Sequence, residues 1–204
     1  MKIFKYLVGE MQTNCYFITK DNKCLIIDAG ESADSLLEEI QRKKLKPLAV
    51  FATHGHFDHI MAVGEIQLSF HIPFYICDKD LFLVKRVRET AEHFLRGDIT
   101  VIQPKFIKNL RENILDLSNF KFQILYSPGH TPGAVCYYFE NEGWLFTGDT
   151  LFKDAIGRYD FSYSDKRKLQ KSLDKLFALP QQTIVYPGHG EQTTIGAEKR
   201  HRLI

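Results

Sequence analysis

Apolar positions recur with a short period near the start of the chain, and the stretches at about 2–8, 14–19 and 23–28 read as three consecutive β-strands. From Ser32 to Lys43 the period lengthens. Leu36, Leu37 and Ile40 stand at helical spacing there, which predicts an amphipathic helix. The short run Leu48-Ala49-Val50-Phe51-Ala52 is apolar throughout and reads as a buried strand. Beyond it the pattern predicts a helix from about His59 to Phe70, a strand from Phe74 to Cys77, and a second long helix from Asp80 to Leu95. Strands dominate again from about 113 to 148. A helix over Asp165 to Ala178 carries Leu169, Leu173, Leu176 and Phe177, and a last strand falls at about 183–186. Strands and helices mixed in this order predict an α/β (α+β) chain. No internal repeat or low-complexity segment interrupts it.

At 204 residues with 44% hydrophobic content, the chain can bury roughly 70% of its unfolded surface. One domain over 1–204 is the expectation. The formal charge of +2 is nearly balanced, and no long basic run is present, so neither nucleic acid nor an anionic membrane is an expected partner. The cluster Arg42-Lys43-Lys44 reads as the solvated end of a helix, where cations suit the dipole. Cys15, Cys24, Cys77 and Cys136 lie scattered in apolar stretches and read as buried thiols of a reducing compartment. The N-terminal apolar stretch is too short for a signal peptide or a membrane span, which makes the cytoplasm the expected location.

The chemistry concentrates in His54-Gly55-His56-Phe57-Asp58-His59, directly after the strand that ends at Ala52. A strand running into a loop can turn alternate side chains toward one point, while the adjacent Asp-His pair faces a neighbouring point. One loop could then serve two metals. Imidazole and carboxylate suit zinc, iron or manganese, and no thiolate needs to take part. Three more candidates follow strand-like runs in the same way: His130 in Ser127-Pro128-Gly129-His130, Asp149 after Phe146-Thr147-Gly148, and His189 in Tyr186-Pro187-Gly188-His189. A glycine near each candidate is expected to let the backbone approach a metal cluster closely. His71, His93 and His201 match no ligand position and read as ordinary residues.

These residues, with Gln12-Thr13-Asn14-Cys15-Tyr16, Ile26-Ile27-Asp28-Ala29-Gly30, Thr147 to Phe152 and Gly157-Arg158, make the chain resemble the metallo-β-lactamase fold hydrolases. Within them it is similar to the glyoxalase II-like (hydroxyacylglutathione hydrolase-like) group, in a short single-domain form. The resemblance implies an αββα sandwich and two divalent metals, zinc first and iron or manganese as other fits. His54, His56 and His130 would hold one metal; Asp58, His59 and His189 would hold the other; Asp149 would bridge them. It further implies a shared hydroxide as nucleophile, with Asp58 the catalytic carboxylate, and an acyl thioester of the S-lactoylglutathione type as substrate.

Around that set, Asp28 ends a strand and could orient a ligand imidazole, or it could simply terminate the strand in a turn with Gly30. Arg158 resembles the position where glyoxalase II-like enzymes place a cation for the substrate, yet it could instead pair with Asp160. The resemblance departs from its pattern in two places. Full-length glyoxalase II carries a further C-terminal helical domain that helps bind glutathione, whereas this sequence ends about fifteen residues after His189, which predicts weak discrimination between thiols. Ile60-Met61-Ala62-Val63-Gly64 also stands where relatives often show paired glycines, so the helix start there is expected to pack differently. Iron-dependent persulfide dioxygenases are similar in these motifs, with one iron on the equivalents of His54, His56, His130 and Asp149. β-Lactam or lactone opening by the same nucleophile is a further alternative.

Overall fold

Residues 2–27 form the antiparallel part of a sheet in the computed structural model, which describes residues 1–201 except the side chain of His201. The expectation for that histidine lies outside the described residues. Strands β1 (Lys2–Val8), β2 (Thr13–Lys20) and β3 (Lys23–Ile27) follow one another in hairpin order. The next strands, β4 (Lys46–Phe51), β5 (Phe74–Ile76) and β6 (Ile107–Asn109), extend the sheet in parallel, giving the order β1-β2-β3-β4-β5-β6. Parallel neighbours cannot be joined by a tight turn, so each needs a crossover. Helix α1 (Ala33–Arg42) leads from β3 to β4, and α2 (Phe57–Ile60) and α3 (Val63–Phe70) lead to β5. A 3-10 turn at Asp78–Asp80 with α4 (Leu81–Lys85) and α5 (Val87–Leu95) leads to β6. Leu36 and Ile40 of α1, Ile66 of α3 and Val84 of α4 share a buried cluster with Phe17, Ile26, Val50 and Phe74 of the sheet.

Two helices are shorter than the periodicity implies, for local reasons. The stretch expected as one helix from His59 to Phe70 breaks at Met61-Ala62, where the Ala62 N–H turns to the carbonyls of Ala29 and Gly30 that follow β3. The stretch from Asp80 to Leu95 breaks at Arg86, whose N–H bonds the Leu83 carbonyl three residues back.

The contacts divide the chain into two compact units, Met1–Asn109 and a second beginning at Leu110. In the second, β7 (Ile114–Leu117), β8 (Phe120–Tyr126), β9 (Val135–Phe139) and β10 (Trp144–Gly148) are antiparallel in sequence. The ribbon β11 (Leu151–Phe152) and β12 (Ala155–Ile156) stands apart from the main sheet. Helix α6 (Lys166–Leu176) crosses over to β13 (Ile184–Pro187), which runs parallel to β10 and pairs with the short β14 (Thr193–Thr194) before helix α7 (Ile195–His201). The order is β14-β13-β10-β9-β8-β7. Strands β8, β10 and β13 therefore point the same way and end at the same edge. Asp165 caps α6 by accepting the N–H groups of Arg167 and Lys168, and Leu169, Leu173 and Leu176 pack on Cys136, Leu145 and Val185. Among the described residues no helix is long and apolar enough to cross a membrane.

Helix α6 also backs the turn that displays His130. The Asp165 N–H bonds the Gly129 carbonyl, and the Ser172 hydroxyl bonds the Pro128 carbonyl. Leu169→Ala, which empties a fully buried site, should cost about 2–5 kcal/mol. The exposed change Lys171→Ala should stay within about 0.5 kcal/mol. Denaturant titration of the two variants checks both figures.

Candidate metal centre

In the first unit three adjacent parallel strands deliver their following residues to one edge of the sheet. Asp28 follows β3, the segment Thr53 to His59 follows β4, and Asp80 lies just beyond β5. Ile27 is paired with Phe51, and the Asp28 N–H bonds the Phe51 carbonyl, so Asp28 sits beside the start of the histidine segment. Its carboxylate accepts the Thr53 N–H at 2.7 Å and the Thr53 hydroxyl at 2.8 Å, and lies 3.0 Å from His59 Nδ1. Asp28 holds a φ of 56°, a left-handed conformation that aspartate adopts more readily than most residues.

Those contacts settle which nitrogens face inward. Thr53 gives its only hydroxyl proton to Asp28, so its oxygen, 3.1 Å from His54 Nδ1, accepts a proton from that ring. The lone pair of His54 is then on Nε2, which lies 3.0 Å from His56 Nδ1. His59 Nδ1 faces the Asp28 carboxylate and its Nε2 lies 3.5 Å from Asp58 Oδ2. The same Asp58 oxygen accepts the hydroxyl of Thr13 at 2.9 Å, from the buried start of β2.

In the second unit the ends of β8, β10 and β13 present His130, Asp149 and His189. His130 Nε2 lies 3.6 Å and His189 Nε2 3.7 Å from Asp149 Oδ2. His130 Nδ1 is 2.9 Å from the Arg158 carbonyl; a carbonyl only accepts, so the proton is on Nδ1 and the Nε2 lone pair faces the carboxylate. The Thr150 hydroxyl bonds the Ser127 hydroxyl and ties the His130 turn to the Asp149 turn. Separations of 3.5–3.7 Å exceed hydrogen-bond reach but match the roughly 3.4 Å between two ligand atoms each about 2.1 Å from a tetrahedral ion. Spacing and tautomers thus fit divalent cations. Residues able to hold them are His54, His56, Asp58 and His59 in the first unit and His130, Asp149 and His189 in the second.

The glycines near these residues answer to packing. A Cβ on Gly30 would lie 1.9 Å from the Asp58 carbonyl oxygen, and one on Gly157 1.8 Å from that of Asp149. At these two positions neighbouring chain takes the space of a Cβ. Arg158 is paired with Asp160 through two hydrogen bonds of 3.0 and 2.9 Å, and its guanidinium lies 4.6 Å from the centre of the Phe161 ring. Phe161 in turn meets His130 edge-on. The four cysteines are buried and none is in a disulfide. Burial pushes the thiols of Cys15, Cys24 and Cys77 up, which keeps them protonated. Thr13 and Asp80 carry roles that the sequence reading missed. Thr13 stood only as part of the matched Gln12-to-Tyr16 segment, with no role attached, and Asp80 stands where a helix cap would.

A profile of the metallo-β-lactamase superfamily matches residues 8–189. The chain belongs to that superfamily. Hydroxyacylglutathione hydrolase GloC of Haemophilus influenzae is 38% identical over 196 residues, 95% of this chain and 92% of the relative. Among solved structures, the BLEG-1 B3 metallo-β-lactamase shares 36% identity with a TM-score of 0.91, covering 98% of this chain and 97% of its own. TTHA1623 in a di-iron-bound form shares 36% identity with a TM-score of 0.89, covering 97% and 98%. The mixed α/β architecture is that of the metallo-β-lactamase fold, its sheets flanked by helices, and the histidines and aspartates above suit metal binding within it.

Asp28→Ala leaves the buried Thr53 N–H and hydroxyl without their acceptor and should destabilise the metal-free superfamily fold by about 2–6 kcal/mol. Asp28→Asn, which keeps one oxygen, should lose less. An unchanged unfolding midpoint for Asp28→Ala would show that the carboxylate does not hold the turn.

Proposed function

We propose that this chain is a dinuclear metal-dependent hydrolase of acyl thioesters, with S-lactoylglutathione-type compounds as its substrate class. His54, His56 and His130 would hold one divalent metal, Asp58, His59 and His189 the second, and Asp149 both, the two units acting together as one domain over 1–204. Two such cations supply Lewis acidity toward the carbonyl and acidify a water to nucleophilic strength near neutral pH. The observation that carries this reading is the proton placement, with His54 and His130 both locked with Nδ1–H outward and Nε2 lone pairs inward. A profile match that runs unbroken across both ligand sets supports joining them.

The chain's own residues do the orienting. Asp28 and Thr53 fix the rings of His54 and His59, Thr13 restrains Asp58 through one oxygen, and the Arg158 carbonyl fixes His130. The Arg158 side chain, exposed and resting on Phe161, is the proposed contact for a substrate carboxylate, which would compete with Asp160 for it. The thioester preference is drawn from the similarity to GloC, and zinc is the proposed metal, with iron the first alternative because of the di-iron TTHA1623 structure. The four cysteines, none in a disulfide, suit a reducing cytoplasm.

Metal analysis combined with a substrate panel tests the assignment. Two metals per chain, with S-lactoylglutathione turnover lost on chelation and restored by metal, is the expected result. A single iron with oxygen uptake on glutathione persulfide, or β-lactam opening faster than thioester hydrolysis, would replace it. Asp58→Ala should lower kcat by about a hundredfold or more, since even partners outside the ligand set cost 10–100-fold. Arg158→Ala should raise KM for carboxylate-bearing thioesters, leave neutral ones unaffected and leave metal content unchanged. An equal rise for both substrate types would show that Arg158 only orders its loop.

A further inference from the structure

Asp80 occupies the residue before helix α4, where an aspartate ordinarily accepts N–H groups of its own helix. It does not do so. No side-chain capping bond is formed, and the carboxylate, fully buried, instead accepts the N–H of Gly55 at 2.9 Å. Gly55 is the residue between His54 and His56, so its peptide connects two candidate ligands. The fit is close: a Cβ on Gly55 would lie 2.9 Å from the Asp80 carbonyl oxygen and 2.9 Å from Leu83 Cβ.

The setting explains what this contact does. Ala52, the residue after β4, still bonds a backbone carbonyl of β5, that of Tyr75. One residue further the chain leaves the sheet, and backbone partners give way to side chains. Asp28, beyond β3, takes the Thr53 N–H; Asp80, beyond β5, takes the Gly55 N–H. The two carboxylates continue the hydrogen bonding of the sheet past its edge, one on each side of the histidine turn.

We infer that Asp80 is a positioning residue for the metal centre, setting the orientation of the Gly55 peptide and through it the geometry of His54 and His56. The inference rests on the metal reading proposed above. It requires an acceptor oxygen at Asp80 and not its charge, so Asp80→Asn should behave as wild type while Asp80→Ala should not.

Three readouts test this. In metal-free protein, hydrogen exchange at the Gly55 amide should be slow in wild type and Asp80→Asn and about tenfold or more faster in Asp80→Ala. Cobalt substituted into the protein should give the same ligand-field spectrum in wild type and Asp80→Asn and an altered one in Asp80→Ala. Cobalt affinity should fall by about 10–100-fold in Asp80→Ala alone. A folded Asp80→Ala protein with wild-type spectrum and affinity overturns the inference, as does an Asp80→Asn protein with tenfold weaker binding. If Asp80→Ala does not fold, an unprotected Gly55 amide in wild type is enough to overturn it. Failure of the metal reading shows separately, as wild-type protein that binds no cobalt while Gly55 exchange still reports the Asp80 contact.

Discussion

The carboxylate of Asp28 is the contact on which the first unit's histidine turn depends. It is placed by the register of two parallel strands, with Ile27 opposite Phe51, and it serves the Thr53 amide, the Thr53 hydroxyl and the His59 ring at once. A buried carboxylate is costly unless its oxygens are well partnered, and a turn leaving a sheet is costly unless its amides are. Each need answers the other here. The same contact passes outward through Thr53 to His54, so one side chain fixes the His54 tautomer and faces the His59 ring.

The second unit reaches a similar result with neutral groups. His130 is fixed by a backbone carbonyl, and its turn by α6, whose N-terminal residues bond the Gly129 carbonyl and whose Ser172 bonds that of Pro128. Among the described residues the candidate ligand groups contain no cysteine; Cys15 and Cys24 lie within β2 and β3, and Cys77, just past β5, is buried with its thiol pushed up.

Strand direction unites these observations. β3, β4 and β5 end together in one sheet, and β8, β10 and β13 end together in the other. In both, ligand-type side chains stand just beyond the carboxyl ends, where backbone groups are released from the ladder and loops can bring polar atoms together. The crossovers α1 to α5 in the first unit and α6 in the second are thus part of how each unit's ligand-type residues are brought together. Their apolar faces bury against the sheets while their ends hold the turns.

Much of this was legible in the chain. The ligand-type residues announce themselves because imidazole and carboxylate types recur after apolar runs with Gly and Pro, and α1 and α6 because their apolar spacing persists over three turns. The breaks at Met61-Ala62 and Arg86 were not legible, since each comes from a backbone bond that periodicity does not encode. Strand β6 and helix α7 are too short or too polar to show a period. Arg158 allowed two readings, and the structure places its side chain against Asp160. Gly55 and Gly129 were legible as tight positions, and the structure sets Asp80 and Leu83 against the first and Leu169 against the second. By itself, then, the sequence determined which side chains carry metal-type chemistry and which segments are buried, because those are local properties of residue type and spacing. Only the tertiary structure decided which nitrogen of each histidine faces inward and that Thr13 and Asp80 serve the turn, because those depend on partners brought in from 25 to 45 residues away.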